Sequence, residues 1–375
     1  MSKRVSTPKL RFAKPQVVQN HIERIQTKVR KAKPLRPVVG GSKTALSGAG
    51  NMPLKKVAGV LEYDPQEYTF TALAGTPLQK VKDLLAQKNQ YLPFDPPLAA
   101  QGATLGGTVA AGLSGPGRYR FGGVRDFLLG VRFVSGTGQL VTGGGKVVKN
   151  AAGFDFPKLM VGSLGQFGVM VELTFKVFPL PERYATLHID MASTAEVVIT
   201  MNKLAMAPFE LSCLELLPPA RLSVRVGGLA EALPERLERI LAFVHQSGEV
   251  LEGDSETAFW EDSSNFNWLP EGHSLVKIPL NPQAIIKLEG ALATLGASTP
   301  RRYSVGGNVL WLGWPDSLAQ KDLDILLIGQ NLGALALTGS WHYPLLGKRR
   351  GHIFEERLRS VLDPNGLFRL NLKET

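Results

Sequence analysis

The chain has 375 residues, 44% of them hydrophobic and 20% charged, which suits two domains with packed cores and excludes an intrinsically disordered protein. Its formal charge of +11 is local: residues 1–33 hold ten Lys or Arg against Glu23 alone, so the remainder is near neutral and nucleic acid is not the expected partner. No apolar run approaches the ~18–20 residues of a membrane-spanning helix, no apolar signal core opens the chain, and the lone Cys213 excludes an internal disulfide or a four-cysteine iron–sulfur centre.

In chain order, residues 1–14 read as a flexible basic tail. Val18, Ile22, Ile25 and Val29 recur at helical spacing and predict a first helix with one apolar face. Pro34-Leu35-Arg36-Pro37 sets an extended entry into RPVVGGSKTALSGAGN (36–51), where glycines, hydroxyls and Lys43 follow a short apolar segment. EYTFTALA (67–74) alternates like a strand. A helix to about Gln87 follows, with Thr76 as its N-cap, Pro77 at its first position and Leu78, Val81, Leu84 and Leu85 as its buried stripe.

Asp95-Pro96-Pro97 stiffens the approach to the glycine run PPLAAQGATLGGTVAAGLSG (96–115). FLLGVRFVSGTGQLV (127–141) predicts a hairpin turning at Gly136-Thr137-Gly138. In KNAAGFDFPKLMVGSLGQFGVMVELTFKVFP (149–179) a short helix over 158–162 precedes a strand over 169–178, and Pro179-Leu180-Pro181 marks a domain boundary. Beyond it, strands (186–190, 211–217, 221–227, 275–280, 309–314, 333–338) mix with helices (194–207, 234–247, 282–295, 317–329, 350–361), the pattern of an antiparallel sheet covered by helices. Cys213, flanked by Leu211, Leu214 and Leu216, reads as strand core.

Three glycine-rich runs in the first half point to a bed on which backbone approaches a ligand closely and presents N–H groups to an anion. Each alone could be a tight turn. Neither G-x-G-x-x-G after a strand nor G-x-x-x-x-G-K-[ST] occurs, which disfavours a Rossmann domain or a P-loop.

On GGSK (40–43), the segments at 61–97 and 102–116, RDFLLGVRFVSGTGQLVTGGGKVVKNAAGFDFPKLMVGSLGQFGV (125–169) and LDPNGLF (362–368), the chain resembles the vanillyl-alcohol oxidase / p-cresol methylhydroxylase (PCMH) superfamily. Within it, the likeness is to the smaller FAD-binding subunits of glycolate oxidases. It is nearly continuous from about residue 15 to 181 and thin afterwards.

The resemblance implies an α+β fold: a two-subdomain PCMH-type FAD-binding domain (15–181), then an α+β cap domain with an antiparallel sheet (182–375). It implies FAD, with Gly40, Gly41, Ser42, Lys43 and Thr44 at the phosphates. Pro97, Gly102, Thr104, Gly106, Gly107, Ser114 and Gly115 would lie along the ribityl and ring, and Asp155, Gly162, Ser163 and Val169 on the adenosine side. Lys43 could equally be solvated, and Asp155 a helix N-cap. Covalent attachment in the superfamily uses a His or Cys, and residues 36–51 contain neither, so the FAD is expected to be non-covalent.

A 2-hydroxy acid dehydrogenase needs a base for the hydroxyl proton and a cation for the carboxylate. Arg118, with Arg120 and Arg125, supplies candidate cations, and His342 and His352 are weak candidates for the base; surface roles stay open for all. LDPNGLFRLNL departs from the terminal motif of the larger catalytic homologues, and their His-containing metal motif has no counterpart, so no metal is expected. These departures favour a subunit oxidising glycolate to glyoxylate with a larger homologous FAD subunit and an iron–sulfur subunit. That subunit would be cytoplasmic, reaching the inner membrane only through partners. A stand-alone NADPH-dependent reductase of the superfamily and a non-catalytic scaffold subunit remain as alternatives.

Overall fold

The computed structural model describes residues 12–31, 33–47, 50–145 and 154–370. The expected tail falls largely outside them, as does the stretch KVVKNAAG (146–153). Helix α1 (Pro15–Arg30) buries the four apolar residues whose spacing predicts it, Val18, Ile22, Ile25 and Val29. They pack with Met52, Leu54, Val134 and Val169 of the neighbouring strands and loops.

The first sheet holds β1 (Val60–Asp64), β2 (Thr69–Leu73), β3 (Leu128–Val134), β4 (Leu140–Gly144) and β5 (Val169–Lys176) in the order β1-β2-β5-β3-β4, all antiparallel. β3 and β4 form the predicted hairpin. Phe70 of β2 stacks on Phe175 of β5 with ring centroids 5.5 Å apart. Helix α2 (Leu78–Ala86) lays Leu78, Val81, Leu84 and Leu85 into this core. Its cap departs from expectation: Pro77, not Thr76, holds the N-cap position. The Thr76 hydroxyl instead donates to Leu73 O and accepts from Gly59 N, tying the strand end to a loop.

Helix α3 (Leu105–Ala111) opens on Thr104, whose Oγ1 accepts from Gly107 N, and closes on Gly112 in the left-handed region at φ 59°. Helix α4 (Phe156–Met160) is N-capped by Asp155, which accepts from Lys158 N at 3.2 Å.

The second sheet is formed by β6 (Arg183–Asp190), β7 (Leu211–Leu217), β8 (Arg221–Gly228), β9 (Glu249–Glu252), β10 (His273–Pro279), β11 (Arg301–Ser304), β12 (Val309–Pro315), β13 (Gly333–Ala336) and β14 (Leu345–Gly347). Their order is β9-β6-β8-β7-β11-β12-β10-β13-β14, antiparallel throughout. Helices α5 (Thr194–Met206), α6 (Leu233–Val244), α8 (Ile285–Ala293) and α9 (Gln320–Gly329) cover one face. Strand periodicity sorts the side chains: Val276, Ile278, Leu310 and Leu312 face those helices, whereas Leu275, Val309 and Trp311 join the core of the first unit. Lys277, between Val276 and Ile278, therefore points toward the glycine-rich loops.

Helix α7 (Gly253–Asn265) was not anticipated, because GDSETAFWEDSSN carries no clear apolar stripe. It contributes Glu256, paired bidentately with Arg225 of β8 at 2.7 and 3.1 Å. Arg225 lies 3.8 Å above the Tyr184 ring, and Tyr184 donates to Tyr91 Oη of the first unit at 3.1 Å.

After helix α10 (His352–Leu362) the chain leaves the second sheet. Asp363 accepts from Leu367 N and Phe368 N, Gly136 N donates to Leu362 O, and Leu367 and Phe368 pack with α1. The LDPNGLF motif thus folds the chain end back onto the first unit.

Candidate cofactor site

Two of the predicted loops meet. A Cβ on Gly40 would stand 2.0 Å from Gly102 O, so the first glycine bend and the approach to α3 touch backbone to backbone. Gly106 packs on Ala74, where a Cβ would stand 2.8 Å from that of Ala74, and its N–H donates to the Ala74 carbonyl at 2.7 Å. Gly41, at φ 69°, leaves open space where a side chain would point.

The resulting crevice is lined by Gly40, Gly41, Ser42, Lys43, Thr104, Gly106, Gly107 and Val169 among the predicted residues, with Leu164, Gly165 and Gly168 closing its far wall. Its volume is about 140 Å³, space for several water molecules. Residues 48, 49 and 146–153 lie outside the described residues.

The electrostatics fit an anion. Lys43 is only 7% exposed. Its ammonium donates to Ser42 Oγ at 3.0 Å, and no described carboxylate pairs with it. Burial alone pulls it down to about 8. A would-be Cβ on Gly107, in the first turn of α3, stands 3.6 Å from Lys43 Nζ, so the cation lies against that turn. A buried ammonium without a counter-ion is costly, and an anion in the crevice would offset that cost. The hydroxyl of Thr108, on the same helix, is buried with no protein partner.

The other predicted residues are placed elsewhere. Thr44 turns to the second sheet, its Oγ1 accepting from Gly339 N at 3.0 Å. Gly102 supports the crevice from behind. Pro97 is buried and does not line this crevice. Ser114 accepts from Val124 N, and Gly115 packs on Asp95 O, so both fix the turn after α3. Asp155 caps α4 away from the crevice.

Gly162 and Ser163 border a second, larger cavity. Their loop clasps α3, with Gly162 N donating to Val109 O and Leu164 N to Ala110 O. Arg118 lies near Lys277, whose pKa its charge helps to lower. His342 and His352 are exposed and line neither cavity.

Lys277 escaped the sequence reading. It is 9% exposed, donates to Gly112 O at 2.9 Å and is pulled down to about 8, chiefly by burial and then by Arg118. A lysine inside the apolar run SLVKIP was the available signal.

Residues 11–144 match the family model described as FAD binding domain. The N-terminal region is an FAD-binding domain. Glycolate oxidase subunit GlcE of Escherichia coli (strain K12) is 46% identical over 130 residues, 35% of this chain and 37% of that protein. Glycolate oxidase subunit GlcD of Bacillus subtilis (strain 168) is 28% identical over 199 residues, 52% and 42% of the two chains. D-2-hydroxyglutarate dehydrogenase of Xanthomonas citri pv. viticola is 32% identical over 170 residues, 43% and 36%. The chain thus spans about two fifths of the length of the curated relatives it matches. Among solved structures, alkyldihydroxyacetonephosphate synthase superposes with a TM-score of 0.69 at 17% identity, covering 95% of this chain and 76% of that one. The fold is therefore α+β of the PCMH type, as expected, and FAD is the cofactor of the N-terminal domain.

Among the described residues, no group of three or more His, Cys, Asp or Glu could hold a metal ion, and no helix is long and apolar enough to cross a membrane.

Proposed function

We propose that this chain is the FAD-binding subunit of a complex that oxidises glycolate, a 2-hydroxy acid, to glyoxylate. The observation that carries the reading is the buried, uncompensated Lys43 at the junction of the Gly40–Ser42 bend and the N-terminus of α3. In that role Gly40, Gly41, Ser42 and Lys43 hold the diphosphate, Thr104, Gly106 and Gly107 border the ribityl chain, and Val169 closes the adenosine side. When bound, FAD supplies an acceptor for the hydride that leaves the hydroxy-bearing carbon. The chain's own part is to fix that acceptor without a covalent bond and to present cations, Arg118 and Lys277, near the turn at Gly112.

His342 and His352 lie outside both cavities, so neither is assigned the hydroxyl proton. A partner carrying that base fits the names of two of the relatives, glycolate oxidase subunits GlcE and GlcD. An iron–sulfur partner fits the lone, buried Cys213. The test is co-purification from the native host followed by glycolate-dependent dye reduction, with and without this chain. Retention of the full rate in its absence overturns a catalytic role. Flavin released by acid precipitation of the purified chain checks non-covalent binding.

A further inference from the structure

Helix α1 sorts its charges by side. With Val18, Ile22, Ile25 and Val29 turned to the core, helical spacing sets Val17, His21, Arg24, Lys28 and Lys31 in a row along one flank. The row is about 21 Å long, and Arg24, Lys28 and Lys31 are exposed. The opposite flank is occupied. Gln26 and Arg30 donate to Gly138 O at the β3–β4 turn, at 2.9 and 3.4 Å, and Glu23, the one acid of the helix, accepts from Gln19 at 2.9 Å.

A second element widens the row. His21 is held below its usual pKa by partial burial and then by the charges of Arg24 and Lys56, so the exposed Lys56, from the loop after Pro53, stands beside α1. No ion pair among the described residues involves Arg24, Lys28, Lys31 or Lys56. Like charges one turn apart destabilise a helix. The helix C-terminus offsets that for Lys28 and Lys31, but not for Arg24 or Lys56, and residues 1–11 add Lys3, Arg4, Lys9 and Arg11 with no acid. A row of cations without counter-ions selects a polyanion.

Shape and the apolar end of the row favour a lipid surface. A straight row on a convex helix meets a plane along its whole length. At its N-terminal end Phe12 and Val17 keep apolar side chains exposed, which the acyl boundary of a bilayer receives and a phosphodiester chain does not. We propose that this flank of α1 docks the FAD-bound chain directly on an anionic phospholipid surface, with Arg24, Lys28, Lys31 and Lys56 meeting lipid phosphates. The proposal is independent of the glycolate reading.

The test sediments the full chain, saturated with FAD, with phosphatidylcholine vesicles and with vesicles containing about one third phosphatidylglycerol. Binding to the anionic vesicles alone, weakening as salt rises, is expected. Each Lys or Arg near an anionic leaflet multiplies affinity about fivefold, so R24Q/K28Q should lose at least ~10-fold. K31Q/K56Q, drawn from two elements, should lose as much. K203Q/R239Q removes the same two charges from exposed positions on α5 and α6 and should bind as the parent chain does. Flavin content equal to the parent's in all three separates lost docking from lost fold. Equal binding to both vesicles, or parent affinity in both R24Q/K28Q and K31Q/K56Q, would overturn the proposal. So would binding to duplex DNA or poly-L-glutamate at least as tight as to the anionic vesicles, which would give the flank to a nucleic acid or an acidic protein.

Discussion

Lys43 offers the sharpest test of how the crevice works. Buried and without a counter-ion, its ammonium sits at about 8 rather than at 10.5. Near pH 8.5 roughly three quarters of the free protein therefore carries it neutral, while near pH 6.5 almost none does. A diphosphate arriving beside Nζ favours the charged form and drives the pKa back up. Binding FAD at pH 8.5 should then take up about 0.7 proton, and at pH 6.5 close to none, with affinity falling toward tenfold per pH unit above 8. Isothermal titration calorimetry in buffers of different ionisation enthalpy reads that uptake directly. Lys43→Met should abolish it and weaken FAD binding by about 1.5–3 kcal/mol, the worth of a charge-assisted hydrogen bond. Lys43→Arg should keep much of the affinity and lose the pH dependence, because a guanidinium does not titrate. Proton uptake of the same size in Lys43→Met would refute the reasoning.

The same burial makes a stability prediction. The native chain holds Lys43 below its unfolded pKa, so its penalty is fully present below pH 8 and is relieved as pH rises from 8 toward 10.5. Any stability advantage of Lys43→Met over the parent chain in urea unfolding should shrink by about 2 kcal/mol between pH 7.5 and 9.5. Gly40→Ala drives a Cβ into Gly102 O and should leave protein that loses its flavin on gel filtration. Gly290→Ala, in α8 where nothing stands within 4 Å, should retain flavin and gain about 0.5–1 kcal/mol from helix propensity. Glu256→Ala strands the Arg225 guanidinium against Tyr184 and should cost about 3–5 kcal/mol in the same urea assay.

What the sequence discloses and what it hides follow from how far each signal reaches along the chain. Glycines at 40, 41, 102, 106 and 107 are visible because close approach and positive φ are demands on one residue at a time, and the helix at 15–30 because its stripe repeats within four residues. Helix α7 is invisible by the same logic: its anchors, Glu256 and Trp260, bond to Arg225 and Thr186 across the fold, so no local period announces them. Thr76 misled because a threonine before proline at a helix start is a capping signal, yet the loop at Gly59 claims its hydroxyl.

The division of the predicted adenosine residues has a related cause. Val169 opens β5 and faces the diphosphate crevice, whereas Gly162 and Ser163, only a few residues earlier, belong to the turn clasped over α3 and open onto the other side. A motif read as one strip of sequence is, in the fold, a wall with two faces. One face meets glycine amides and Lys43. The other meets Lys277 and the Lys348–Arg350 run, brought from the opposite sheet by strand alternation that leaves a lysine between two core residues pointing inward. Lys277 thus stands behind that wall as a second buried cation, its ammonium on the Gly112 carbonyl, and the cost of burying it marks that face, like the first, as one that meets an anion.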